Sequence, residues 1–134
     1  MNKVLVRIIV EIVGFPKDHV EEVTKKIVDK IKEDKEVKKF EIFETVELKD
    51  KMDGFYSAFT ELEINFNNLN ELISFCLDYM PSSIEILEPE EINFKTAELA
   101  NLLNDLLGKL HDYDMTIKKL QASNFLMKKK LGQN

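Results

Sequence analysis

The chain has no tryptophan, one cysteine, two histidines, three prolines and four glycines among 134 residues. The single thiol, Cys76, excludes an intramolecular disulfide framework and a multi-cysteine zinc site. His19 and His111 are too far apart and too isolated to frame a metal centre. No phosphate-cradling glycine loop, nucleophile elbow or set of ligands at metal spacing occurs. No apolar run approaches the roughly 20 residues that span a bilayer. The apolar start at residues 4–13 is interrupted by Arg7 and Glu11, with no cleavage-site pattern after it. Basic side chains are in deficit, 19 Lys and Arg against 25 Asp and Glu for a net charge of −6, which argues against general affinity for nucleic acid or anionic membrane. These absences lead us to expect a cytoplasmic, non-enzymatic protein with no cofactor, metal, nucleic acid or membrane to bind.

What remains is enough for a core. Hydrophobic residues make up 44% of the chain and charged residues 33%, so wholesale disorder is not expected. Charge is unevenly spread: residues 1–94 carry 12 basic and 21 acidic side chains, residues 95–134 carry 7 and 4. We therefore expect a domain at 1–94 and a chemically distinct segment at 95–134.

Val4, Val6, Ile8, Val10 and Ile12 recur at period two, which predicts a strand with one dry face. After Gly14-Phe15-Pro16, Asp18 and Glu21 have capping-box spacing, and Val20, Val23, Ile27 and Ile31 give a first amphipathic helix ending near Asp34. Phe40, Ile42, Val46 and Leu48 alternate with charged residues, and the polar residues 49–54 make a turn into a third strand, so a hairpin is expected. In that strand Tyr56, Ala58, Thr60, Leu62, Ile64 and Phe66 share one face and Glu61, Glu63 and Asn65 the other. Asn68 and Glu71 repeat the capping spacing before the apolar stripe Leu69, Leu72, Ile73, Cys76 and Leu77, which Pro81 ends. Ile84-Glu85-Ile86-Leu87 is a fourth short strand. The order strand, helix, strand, strand, helix, strand predicts an α+β, ferredoxin-like βαββαβ sandwich, followed by a long C-terminal helix. Such a fold hosts many functions and chooses none.

The C-terminal segment has the sharpest pattern. With Leu103 at position a, the a set is Leu103, Leu110, Ile117, Asn124 and Leu131, and the d set is Leu99, Leu106, Tyr113, Leu120 and Met127. Three- and four-residue steps alternate without slipping, the mark of a coiled-coil seam. A helix from Leu99 to Leu131 would be about 48 Å long, longer than the roughly 30 Å diameter of a body of this size. The overhang predicts a homo-oligomer, dimer or higher, built on this seam. The alternative is a fold-back broken around Gly108 or residues 112–114. Asn124 at a core position either pairs with its mate, fixing register, or stays wet near a frayed end. Lys128, Lys129 and Lys130 complement the helix C-terminal dipole or form a basic patch for an acidic protein of another kind. The acidic residues before the seam, Glu88-Pro89-Glu90-Glu91, exclude a DNA-binding zipper.

Chemistry elsewhere is thin. His111 and Asp114 read as solvated helix residues, Cys76 as a structural thiol on an apolar face, and Glu61 with Glu63 as a solvated sheet surface. Leu5, Ile9, Phe43, Phe55 and Phe59 are expected to point away from the two helices. That apolar area calls for a cover: the start of the tail helix, the sheet of a second subunit, or a ligand.

Three resemblances bear on these residues. Gly54-Phe55-Tyr56-Ser57-Ala58-Phe59 looks faintly like the aromatic signature of RNA-recognition motifs, but Asp53 stands where a basic residue belongs, and Glu41, Glu61 and Glu63 make the face acidic. The layout of residues 1–92 resembles ACT and RAM-type regulatory domains, in which Gly14, Phe15, Pro16 and Asp18 match the placement of the ligand-contacting first loop. That resemblance implies dimerisation through sheets and a small effector bound at a subunit interface. The Lys-, Ile- and Glu-rich, tryptophan-free style is similar to that of small uncharacterised archaeal proteins, and it implies no activity.

Overall fold

A computed structural model of the chain describes residues 3–50 and 53–132. Its elements run β1 (Val4–Gly14), α1 (Lys17–Asp34), β2 (Glu36–Ile42), β3 (Val46–Glu47), β4 (Tyr56–Phe66), α2 (Leu69–Tyr79), β5 (Ser83–Glu88) and α3 (Thr96–Lys130). The chain divides into two compact units, Met1–Ile92 and Asn93–Asn134.

In the first unit the strands form one antiparallel sheet in the order β2-β4-β1-β5, with β3 also paired to β4. With β2 and β3 taken as one interrupted strand, this is the ferredoxin-like topology that the element order predicts. The interruption is the main departure from a simple hairpin. The ladder slips between Val37 and Lys39, and after Ile42 the backbone leaves the strand. The Phe43 amide still donates to the Phe59 carbonyl at 2.9 Å, and the Leu48 amide donates to the Phe55 carbonyl at 2.8 Å. Of the turn expected at 49–54, Lys51 and Met52 lie outside the described residues. Gly54 has φ +84°, a left-handed conformation that a β-carbon would strain.

The register of β1 against β4 pairs Val4 with Phe66, Val6 with Ile64, Ile8 with Leu62 and Val10 with Thr60. All of these are buried, and both helices pack over them. Period-two alternation thus becomes a dry layer, closed by Leu69, Leu72 and Phe75 from α2 and Ile31 from α1. Phe75 meets Phe66 edge-on, with centroids 5.4 Å apart, and stacks on Tyr79 at 4.6 Å.

Three details of the helices correct the sequence expectation. α1 starts at Lys17, with Pro16 at the N-cap position and no side-chain cap, so Asp18 sits inside the first turn. There it favours the helix by charge against the dipole, not by capping. The buried stripe of α1 is Val20, Thr24, Val28 and Ile31, whereas Val23 and Ile27 are only half-buried. Thr24 tolerates the interior because its hydroxyl donates to the Val20 carbonyl at 2.7 Å. The α2 cap is the expected one in half: Asn68 Oδ1 accepts from the Glu71 amide at 2.9 Å. The Glu71 carboxylate, however, takes Asn67 and Lys35 instead of the cap residue's own amide. The Lys35 contact ties the C-terminus of α1 to the start of α2. α2 closes on Met80 in the left-handed region, followed by Pro81.

The second unit is dominated by α3, one helix of 35 residues without a break at Gly108 or at residues 112–114. The fold-back alternative is thereby removed. No residue of α3 is buried.

Candidate functional site

Three places hold the candidate residues. The first is the loop after β1. Gly14 closes β1 opposite Tyr56, and a β-carbon there would meet Val20 only at an ordinary 3.5 Å. Phe15 is exposed and meets Phe55 edge-on at 4.9 Å. The Pro16 carbonyl accepts from the Val20 amide at 3.1 Å. Asp18 is exposed on the first turn of α1. None of these four lines the neighbouring cleft of about 150 Å³ between α1 and the β2–β3 connection, which is bounded by Lys17, Glu21, Thr24, Lys25 and residues 42–45.

The second place is the sheet face turned away from α1 and α2. Its centre is ionic. Arg7 Nε lies 3.1 Å from Glu61 Oε1, Nη2 lies 3.3 Å from Glu63 Oε1, and Nη1 lies 3.0 Å from Glu85 Oε2. Register explains the cluster: Arg7 is the direct cross-strand neighbour of Glu63 on one side and Glu85 on the other. Partial desolvation opposes the Arg7 charge, but Glu85 and Glu63 outweigh it through charge and hydrogen bonds and raise the guanidinium pKa above its ordinary value. Lys39, Phe40 and Glu41 complete a shallow cleft of about 240 Å³ over the cluster.

This arrangement revises the expected apolar face. Leu5 and Ile9 are half-buried and flank Arg7, and Phe59 lies beyond them opposite Glu11. Phe43 and Phe55 fall outside the strands, Phe43 in the break between β2 and β3 and Phe55 just ahead of β4. Phe55 is occupied by Phe15, and Phe43 also borders the cleft beside α1. Glu61 and Glu63 are therefore not a free solvated pair, as the sequence suggests, but ligands of one guanidinium. The signal for this in the sequence is a lone cation inside an apolar strand. Its three acceptors are supplied by β4 and β5 only once register is known.

The third place is α3. Leu99, Leu103, Leu106, Leu110, Tyr113, Ile117, Leu120 and Met127 are all exposed along the helix, as is Asn124. Leu131 falls at the C-cap, where its amide still donates to the Met127 carbonyl at 3.1 Å. Beside the seam, Lys118 bridges Asp114 at 2.9 Å, and the Thr116 hydroxyl donates to the Asp112 carbonyl at 3.0 Å.

Other chemistry is sparse. Cys76 packs half-buried against the core, and desolvation pushes its thiol pKa up, the reverse of what a nucleophile needs. Among the described residues no three His, Cys, Asp or Glu side chains converge on a metal-sized site, and no helix is long and apolar enough to cross a membrane.

Comparison with known proteins adds one decisive finding: the model of the MJ0538 family matches residues 5–131. The chain belongs to the MJ0538 family. The match runs from β1 to the cap of α3, so both units are part of the MJ0538 pattern. A relative from the archaeon Methanocaldococcus jannaschii, described as uncharacterized protein MJ0538, is 30% identical over 108 residues, covering 81% of this chain and 41% of that protein. The chain thus spans less than half the length of that curated MJ0538 relative. No solved structure matches the chain.

Proposed function

We propose that this member of the MJ0538 family is a non-enzymatic, cytoplasmic, homo-oligomeric interaction protein that self-associates through α3. One observation carries the reading: a heptad seam runs along a single unbroken helix, and none of its residues is buried. Burying a leucine-sized side chain contributes about 1.5–3 kcal/mol. Nine of the ten seam positions are apolar or aromatic, and two strands supply twice that number. Burial of such a set works against the about 4–15 kcal/mol of translational and rotational freedom lost on association, and only the surplus appears as affinity.

Sedimentation of the full chain tests the reading. The parent should associate at micromolar concentration, and Ile117→Ser with Leu120→Ser should shift it to single chains, as should removal of residues 108–134. A parent that stays a single chain at high concentration, or an assembly indifferent to both changes, would overturn it.

A second reading, an effector-binding regulator of the ACT or RAM kind, draws support from the ferredoxin-like topology, although the cleft at the start of α1 is lined by none of Gly14, Phe15, Pro16 and Asp18. A thermal-shift panel of amino acids and nucleotides tests it, since a ligand at 100 times its dissociation constant stabilises a protein by about 2.7 kcal/mol. A flat response across the panel removes its support.

A further inference from the structure

We infer that two copies of α3 pair parallel and in register as a two-stranded coiled coil, with Lys109 of each copy facing Asp114 of the other and the two Asn124 amides facing each other. This rests on the association reading above and fixes its geometry.

The unbroken helix makes the flanking positions meaningful. The e positions are Ala100, Leu107, Asp114, Gln121 and Lys128, and the g positions are Leu102, Lys109, Thr116, Ser123 and Lys130. In a parallel, in-register pair each g residue faces the e residue of the next heptad on the other strand. That gives Leu102 with Leu107, Lys109 with Asp114, Thr116 with Gln121 and Ser123 with Lys128. One contact is apolar, one attracts, and none sets like charges together. The attractive contact occurs twice by symmetry. Asp114 already holds Lys118 through Oδ2, and a carboxylate accepts on both oxygens, so the contact across the pair does not require giving up the one within the helix.

The antiparallel pair with the seam fully overlapped is worse on three counts. Its layers set Leu103 against Met127, Leu110 against Leu120, Ile117 against Tyr113 and Asn124 against Leu106. The Asn124 amide is then buried against a leucine with no mate. Asp114 faces Asp114, and Leu102 lies beside a lysine, Lys130. In the parallel pair Asn124 meets Asn124, an arrangement that fixes register and selects two strands.

Cysteine cross-linking separates the two directions. In a Cys76→Ser background, Met127→Cys and Leu103→Cys are oxidised with glutathione disulfide, alone and as a mixture in which one chain carries a mass tag. A disulfide needs β-carbons about 4 Å apart. Parallel pairing therefore predicts a covalent dimer from each variant alone, and no tagged product joining position 103 of one chain to position 127 of the other. Antiparallel pairing places the two copies of position 127 about 36 Å apart, so each variant alone would stay uncoupled and only the mixture would react. That second result, with a dimer in sedimentation, overturns this inference and leaves the association reading standing. A single chain in sedimentation overturns both, and a trimer or tetramer overturns the two-stranded geometry.

A charge swap gives an independent check. Lys109→Glu should weaken the parallel dimer several-fold, and adding Asp114→Lys should restore it. Absence of rescue, with the dimer otherwise intact, counts against the Lys109–Asp114 contact.

Discussion

Residues 4–92 and residues 96–130 are both rich in aliphatic side chains, yet only the first set forms a buried core. In β1 and β4 the apolar positions recur every second residue, and in α1 and α2 every third or fourth. These periods put them on faces that meet within the fold. In α3 the repeat of 3.5 residues draws a narrow stripe along one edge of a helix about 52 Å long. The contrast shows that hydrophobic content alone does not decide what is buried. The period decides which surface the apolar residues share, and the reach of that surface decides whether one chain can cover it.

Experiments can press on this contrast in order of size. Phe66→Ala, at the centre of the core with Phe75, should cost about 3–5 kcal/mol in denaturant unfolding followed by circular dichroism. The loss should fall on the first unit, and a cost under about 1 kcal/mol would place Phe66 outside a tightly packed interior. Gly108→Ala should act on the other side of the comparison. Nothing crowds its β-carbon, so the change should favour helix by about 1 kcal/mol and raise the melting temperature of α3 without moving that of the α/β unit. Thr60→Val should stabilise the first unit by about 1 kcal/mol, because Thr60 Oγ1 is buried and meets no hydrogen-bond partner among the described residues. Equal or lower stability would mean that the hydroxyl is satisfied in solution.

The smallest effect concerns acid. Lys38 and Lys3 donate hydrogen bonds to Glu36 and hold its carboxyl below the ordinary 4.5. A depressed carboxylate contributes stability that is present above its unfolded value and lost as pH falls through its folded one. Glu36→Gln should therefore lower the melting temperature slightly near neutrality, and the gap to the parent should close as the pH falls below about 4.5. A gap absent at pH 7 that opened only in acid would reverse the sign and reject the assignment.

Much of the fold is legible in the sequence because its signals are local. The alternation of Val4 to Ile12, the Asn68 cap and the stop at Pro81 each act within a few residues, and each reappears in the structure. The start of α1 is misread because Pro16 takes the cap position that Asp18 would otherwise fill. Its buried stripe is misread because Thr24 counts as polar in a sequence, while in a helix its hydroxyl is satisfied one turn back by Val20. The Arg7 cluster is illegible for a different reason. Glu61, Glu63 and Glu85 lie on two other strands, and only the pairing of β1 with both neighbours brings them to one guanidinium. The seam of α3 is the opposite case: its phase is complete in the primary structure, and the unbroken helix preserves it from Leu99 to Met127.

The Arg7 cluster has a consequence for the sheet face turned away from α1 and α2. A greasy layer pressed over it would strip water from a guanidinium and three carboxylates at once, a penalty that flanking leucine, isoleucine and phenylalanine contacts must first offset. The ion cluster therefore disfavours a purely apolar cover at the middle of that face, even though oily side chains stand on either flank.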